Sequence, residues 1–539
     1  MYLTVKWVGV LALILMIPAL ARTESSAAQK NKPAASGGTS SSGASKTGPS
    51  ASGPSKTGPA AAAGNRSTAP GAKPTGTGTG ARSGSTTATP SRAGATPARA
   101  GAPAANASSK AGGATSAPRP GTELHTNGSK TVTRADGSRA EVNGSGKTTS
   151  ITTRSGTTGR MNSNGRLSSI HTANGMTINH DARGGHVVSS EHVNARGEHI
   201  RAVNMGGHRG YVDHTFVRGG RPYMRRTYVV NGRAYARAYP GYYYRGRIYY
   251  GYAPGFYYGP AFYGWAYDPW GAPVAYGWGW GGAAWYGYYG GYFAPYPVYP
   301  AANLWLTDYV ISQNLQAAYE AGAASAQANA PAQGQVAENS GNAGGSNPVV
   351  LTPEIKQAIA DEVKAELAAA KAAAANPQGA TSAPSGDQLP DALDPAHRTF
   401  IVATALSGRL PDGMECSLSQ GDVLTRVDDT PDANQNVKVL VSAGQKNDCN
   451  ASAQIAVAVN DLQDMHNAFR ERIDDGLKTL ADNQGKNGLP PAPSTATTPV
   501  PGSQAQPDLD AVASLQKQEQ DADAAEKEVA QSANPGAGN

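Results

Sequence analysis

The sequence predicts a multi-segment, largely disordered chain that carries a β-hairpin meander and a small C-terminal α+β domain. Three observations carry this expectation. No Phe, Trp or Tyr occurs between Val8 and Gly210, and a chain without rings over that length has little material for a dense core. From about residue 121 a turn dipeptide arrives every nine to thirteen residues. Late in the chain, Val437, Val439 and Val441 alternate, followed by Ile455, Val457 and Val459, which is the period of strands with one buried face.

Taken in order, residues 1–21 read as a secretory signal peptide. Lys6 precedes an apolar run from Trp7 to Leu20, and Ala19-Leu20-Ala21 is a small-residue cleavage site; the run is too short to span a bilayer. Residues 22–120 are a low-complexity tract in which twelve Lys or Arg face one acid, Glu24, giving +11 against +7 for the whole chain. Such a tract is expected to be disordered. Spaced cations bind anionic polymers by counterion release, without choosing among them; the alternative is a soluble spacer. For an exported chain the expected partners are anionic envelope polymers or polysaccharide, or a second copy of itself, and not nucleic acid. No transmembrane span is expected once the signal is removed.

Residues 121–250 are read as successive hairpins. Asn-Gly and Gly-Gly suit the type I′ and II′ turns that match strand twist. Closing on Asn231-Gly232 pairs Tyr228 with Tyr235, and closing on Gly219-Gly220 pairs Phe216 with Tyr223. Within this region "NGRLSSIHTANGMTINHDARGG" (164–185) resembles the RHS/YD type of repeat, with Asn179-His180-Asp181 where those repeats carry a tyrosine–aspartate pair. Residues 251–303 hold five of the seven tryptophans among glycines and prolines. No helix is expected there, because both residue types disfavour helix interiors. "YGYAPGFYYGPAFYGWAYDPWGAPVAYGWGWGG" (250–282) with "NLWLTDYVISQNLQAAYEA" (303–321) resembles uncharacterised secreted Gly/Tyr/Trp-rich proteins of soil bacteria. That resemblance implies export and no activity.

A helix is expected over 304–324, a linker over 325–350, and a second helix over 351–375 with Thr352 as N-cap and Pro353 at its first position. A linker (376–392) leads to the α+β domain, 393–485. There, Asn460 and Gln463 form a capping box before a helix whose apolar face is Leu462, Met465, Phe469, Ile473, Leu477 and Leu480. The two cysteines, Cys416 and Cys449, are expected to form a disulfide in an oxidising compartment. "SLSQGDVLTRV" (417–427) resembles the strand entry of PDZ domains and implies a binding role. Pro, Ala, Gln and acids dominate 486–539, which is expected to be a disordered tail, with a weak acidic helix near 508–530 as the alternative.

No catalytic motif stands out, so an enzyme is not expected and no cofactor is called for. Exposed rings mark interaction surfaces, so the leading reading is a non-enzymatic envelope or matrix protein that adheres or self-associates through the aromatic tract. A compact tract packed on the chain's own hairpins and the 304–324 helix is the competing arrangement. Two other functions are carried: carbohydrate recognition with Trp265, Trp270, Trp278, Trp280 and Trp285 stacking on sugar faces, and an RHS-like exported toxin carrier. Finally, folding "EHVNARGEHI" around 194–197 sets His192 opposite His199, and folding at Gly206-Gly207 sets His199 opposite His214. Such a row of imidazoles would suit Zn²⁺, Cu²⁺ or Ni²⁺.

Overall fold

The structure is a computed structural model and describes residues 120–181, 185–328, 350–376, 387–410, 414–445, 449–450 and 452–533. The expected signal peptide, nearly all of the cationic tract and most of both linkers lie outside the described residues.

Thirteen antiparallel strands follow one another, each hydrogen-bonded to the next. They are β1 (Gly121–Leu124), β2 (Lys130–Thr133), β3 (Arg139–Val142), β4 (Thr148–Thr152), β5 (Thr158–Met161), β6 (Leu167–His171) and β7 (Thr177–His180). The longer ones come next: β8 (His186–Val193), β9 (His199–Asn204), β10 (Arg209–Arg218), β11 (Arg221–Val230), β12 (Arg233–Tyr244) and finally β13 (Arg247–Tyr250). The hairpin meander is therefore present, but its turns are of two kinds. Early connections such as 125–129 have a single left-handed residue, Gly128 at φ 79°, and bond His125 N–H to Ser129 O and Gly128 N–H to His125 O. This is a type I turn closed by a glycine bulge. The later Asn231-Gly232 and Gly219-Gly220 connections have two positive φ values each, as the expected type I′ turn requires. Tyr228 pairs with Tyr235 and Phe216 with Tyr223 in register, with ring centroids 5.0 and 5.5 Å apart.

After β14 (Phe256–Tyr258) the aromatic tract contains two short helices, α1 (Pro260–Tyr267) and α2 (Ala284–Tyr289), which corrects the expectation of none. Pro260 sits at the start of α1, where its missing N–H costs nothing. Phe262, Tyr263 and Ala266 are then buried by packing, and this burial overrides the weak helix propensity of Gly264. The tract lies against α3 (Ala302–Ala328) and α4 (Pro353–Ala375). Thr352 caps α4 as expected, accepting from Ile355 N–H.

The C-terminal sheet runs β15-β18-β19-β20-β16-β17, built from β15 (Thr399–Ile401), β16 (Leu406–Arg409), β17 (Glu415–Leu418), β18 (Val423–Arg426), β19 (Asn436–Ala443) and β20 (Gln454–Ala458). Helix α5 (Val459–Asn483) follows. The expected capping box does not form: Ala458 is the N-cap, without a side-chain bond, and Gln463 instead accepts the N–H of Ala392 through Oε1 at 3.1 Å. Cys416 and Cys449 are disulfide-bonded, with Cα atoms 4.9 Å apart.

The tail differs most from expectation. Short strands β21 (Thr497–Pro499) and β22 (Gln504–Ala505) pair with β14 and β12, and α6 (Ala511–Ala533) lies across the meander. Ala511, Leu515, Gln518, Ala522, Ala525 and Val529 are its buried residues, a stripe of three- and four-residue steps. Leu515 joins Ala202, Val212 and Val229, while Val529 joins Ile170, Ile178 and Val188. The opposite sheet face meets the C-terminal domain, where Val187, Val203 and Tyr211 pack on Ala405. Composition suggests disorder because so few of these residues are large. A ready-made flat apolar face supplies what the helix lacks alone.

Polar anchors flank the stripe. His186 reaches Glu519 at 3.0 Å and Glu526 at 2.9 Å, and His180 reaches Glu526 at 3.1 Å. Burial opposes charge on His186, yet the two carboxylates outweigh it and raise its pKa to about 10. Burial also opposes charge on Glu526, and the two imidazoles hold it down at about 2. The His186 contribution is complete below about pH 6.5 and is lost as pH rises toward about 10. The Glu526 contribution is complete above about pH 4.5 and is lost as pH falls toward about 2. Hydrogen exchange in α6, corrected for intrinsic rates, should be slowest between those bounds and should quicken toward pH 10. In His186→Gln the alkaline rise should flatten. In the aromatic core, Trp305→Ala should cost about 3–5 kcal/mol in denaturant unfolding, because Trp305 is fully buried.

Candidate functional site

The five tryptophans proposed for sugar stacking do not form an open platform. Trp270 and Trp285 are buried, and Trp265, Trp278 and Trp280 pack against the same core. Trp278 stacks on Trp280 at 4.3 Å and on Trp305 of α3 at 4.6 Å. Its indole N–H donates to Tyr299 Oη at 2.6 Å, and Tyr299 donates to Asp308 at 2.7 Å. Asp308 is fully buried and pairs with Lys356 of α4 at 2.7 Å. The rings are an internal clasp, the arrangement that competes with exposure.

Nor do His192, His199 and His214 converge. His199 pairs with Val193, whereas His192 and His214 both pair with Ile200. His199 is thus one residue out of line and points to the opposite face. Two turns cause this: at 194–197 Gly197 at φ 77° forms a bulge, and at 206–208 three successive left-handed residues replace the expected two, so each loop is one residue longer than a symmetric turn allows. His214 meets Asp508 at 2.6 Å instead.

Elements far apart in sequence do enclose a cavity of about 220 Å³ between β10–β12 and helices α3 and α5. Arg226 and Asp464 in its wall belong to a buried ionic network. Arg226 bonds both oxygens of Asp213 at 2.8 Å and reaches Asp464 at 3.2 Å, and Arg201 bonds Asp464 at 2.6 Å. The Arg226 guanidinium lies 3.9 Å from the centroid of the Tyr211 ring. Burial opposes ionisation of Asp213 and pushes its pKa up despite Arg226. Beside this network Tyr228 donates to Glu471 at 2.9 Å, and Tyr239 donates to the same carboxylate. Burial, followed by the Glu471 charge, holds both phenols well above their ordinary range, so they remain donors. The cavity also offers the ring of Tyr235, which is about half exposed, the ring of Tyr309, and Arg472. Burial pushes the Arg472 pKa down, and this guanidinium has no ion-pair partner among the described residues. Gln420, also in the wall, is buried and has an amide nitrogen without a hydrogen-bond partner.

Arginines stand among the tyrosines of β11 and β12 in the sequence, but nothing local marks Asp464 and Glu471 on α5 as the acids that meet this region. The segment "NDLQDMHNAFRERIDD" shows only that charges interrupt the apolar face. Two groups of His and Glu also converge elsewhere among the described residues: His180, His186 and Glu526 beneath α6, and Glu362, Glu366, His397 and His466 between α4 and α5.

Asp213→Ala should destabilise the protein by about 3–5 kcal/mol in denaturant unfolding, because it leaves Arg226 buried and under-compensated. Asp482→Ala, which removes the exposed Lys478 partner, should leave the unfolding midpoint essentially unchanged. Compared with protein-family models, with curated proteins and with solved structures, the chain matches none, so its chemistry rests on its own residues.

Proposed function

We propose that the protein is an exported, non-enzymatic envelope protein that binds saccharide in the cavity between β10–β12, α3 and α5. The single observation that carries this reading is the composition of that cavity. Tyrosine faces stand beside a free guanidinium, shared carboxylates and an unpartnered amide within one enclosure. Sugars present apolar C–H faces and rings of hydroxyls, so they need aromatic surface and paired donors and acceptors together. A volume of about 220 Å³ is far above the roughly 10–15 Å³ that a single water needs on the same measure. This suits one sugar unit at a chain end or branch.

Two further features support the reading. The disulfide suits an oxidising compartment. Most rings of the aromatic tract pack into or against the core, whereas Tyr235 in the cavity is about half exposed beside polar groups. Adhesion to envelope polysaccharide is thereby assigned to Tyr235, Tyr309 and Arg472 in place of the tryptophans.

The test is binding of the full chain to an array of envelope polysaccharides and their fragments. Tyr235→Ala and Arg472→Ala should each weaken binding about tenfold or more, the loss of one stacking or charged contact. Tyr288→Ala, which removes an exposed ring of the aromatic tract, should leave it unchanged. Loss only in Tyr288→Ala would return adhesion to the tract and reject the cavity.

A further inference from the structure

Eight of the ten histidines lie between His125 and His214; the remaining two are His397 and His466. They meet. Helix α4 presents Glu362 and Glu366 one turn apart on one face, α5 brings His466, and the segment entering β15 brings His397. One ligand-type atom from each of the four lies within 4.8 Å of all the others. Glu362, Glu366 and His466 are only 5, 4 and 3% exposed. Glu362 Oε1 is 2.5 Å from His397 Nδ1, and Glu366 Oε1 is 2.7 Å from His466 Nε2 and 3.8 Å from His397 Nδ1.

The contacts are close but do not satisfy the groups. Glu366 Oε1 and both ring nitrogens of His466 have no hydrogen-bond partner, although Glu366 and His466 approach to 2.7 Å. The ring N–H does not line up with the carboxylate, and hydrogen bonds weaken steeply off-axis. Buried polar atoms without partners are rare in folded proteins. Here they face one another around a common point, where a cation accepts lone pairs from imidazole and carboxylate alike. A tetrahedral ion with bonds of about 2.0–2.2 Å sets its ligand atoms about 3.3–3.6 Å apart. The present separations bracket that distance, so small side-chain rotations complete the shell.

The surroundings fit as well. Arg470 Nε holds the second oxygen of Glu366 at 3.0 Å, which fixes the carboxylate and leaves Oε1 to face the centre. Asp391 Oδ2 lies 3.9 Å from His466 Nδ1, the side from which a carboxylate orients a ligating imidazole. Two imidazoles favour a transition ion over Mg²⁺ or Ca²⁺. By contrast, the His180–His186–Glu526 group is more exposed, and its rings make hydrogen-bonded pairs with Glu519 and Glu526.

We propose that Glu362, Glu366, His397 and His466 hold one divalent transition-metal ion of the zinc class in a closed four-ligand site. The ion ties α4, α5 and the entry to β15 together. With all four positions supplied by protein, its role is structural.

The test uses the full, oxidised chain, stripped with a chelator and titrated with Co²⁺ and then Zn²⁺. One equivalent of Co²⁺ should give the intense visible absorption of tetrahedral coordination, and Zn²⁺ should displace it and raise the Tm. His397→Gln and His466→Gln should each abolish the tetrahedral spectrum and weaken Zn²⁺ uptake at least about 100-fold, while His186→Gln should change neither. His397 is the more exposed ligand, so His397→Gln tests the site with the least disturbance to the core. Absence of a tetrahedral spectrum in the unsubstituted chain would overturn the proposal whether or not the variants fold. Equal uptake by the unsubstituted chain and His397→Gln would overturn it as well.

Discussion

A single-layer antiparallel sheet has two faces and no interior. Every strand from β1 to β13 hydrogen-bonds to its neighbours, but the sheet buries nothing until other elements cover it. The rest of the structure answers that constraint. Helix α6 covers one face with Ala, Leu and Val, and the C-terminal domain covers the other with Ala405, Ser407, Ser417 and Glu415. The two contacts differ in character. The α6 side is mostly apolar and carries imidazole–carboxylate anchors at its edges. The domain side is a mosaic of hydroxyl contacts and buried ion pairs, which fixes alignment more than it adds hydrophobic burial.

The aromatic tract solves a related problem inside the helical layer. Glycine and proline keep its backbone close and irregular, so rings from 256 to 299 can converge on α3. Close approach is also built into α5, where a Cβ on Gly476 would lie 2.6 Å from Leu306 and 3.0 Å from Tyr309. Asp308 and Lys356 form an ion pair within this ring-lined space, with Lys356 3.7 Å from the centroid of the Tyr296 ring. Burial pushes the pKa of Asp308 up and that of Lys356 down. Each group depends on the other to remain charged.

How much of this was legible follows from the range of each signal. Turn dipeptides act locally, so the hairpins and the Tyr228–Tyr235 register could be read directly. The histidine row failed on equally local ground, because the left-handed residues at 197 and at 206–208 each add one residue that a symmetric turn does not. Helix α6 was largely obscured because half of its buried stripe is alanine and the stripe acquires meaning only against a sheet hundreds of residues earlier. The helices of the aromatic tract depend in the same way on burial that no local window contains. For the candidate sites, the arginines of β11 and β12 lie in plain sequence, while Glu362, Glu366, Glu471, His397 and His466 needed tertiary structure to be recognised as parts of a site. Residue types that carry chemistry were in plain view. Their convergence was not.

The crossing of α6 over the meander also sets an order in time. Strands β4 to β10 leave the ribosome well before residues 511–533 exist. At about 5–20 residues per second, the interval is on the order of tens of seconds. During it, Ile170, Ile178, Val188 and Val212 have no cover from α6, and the sheet can pair its ladder but cannot close that face. A nascent chain therefore presents an apolar β surface whose shield is encoded about 300 residues later. Holding that surface soluble falls to whatever receives the chain as it emerges, and the last helix to arrive ends the need for it.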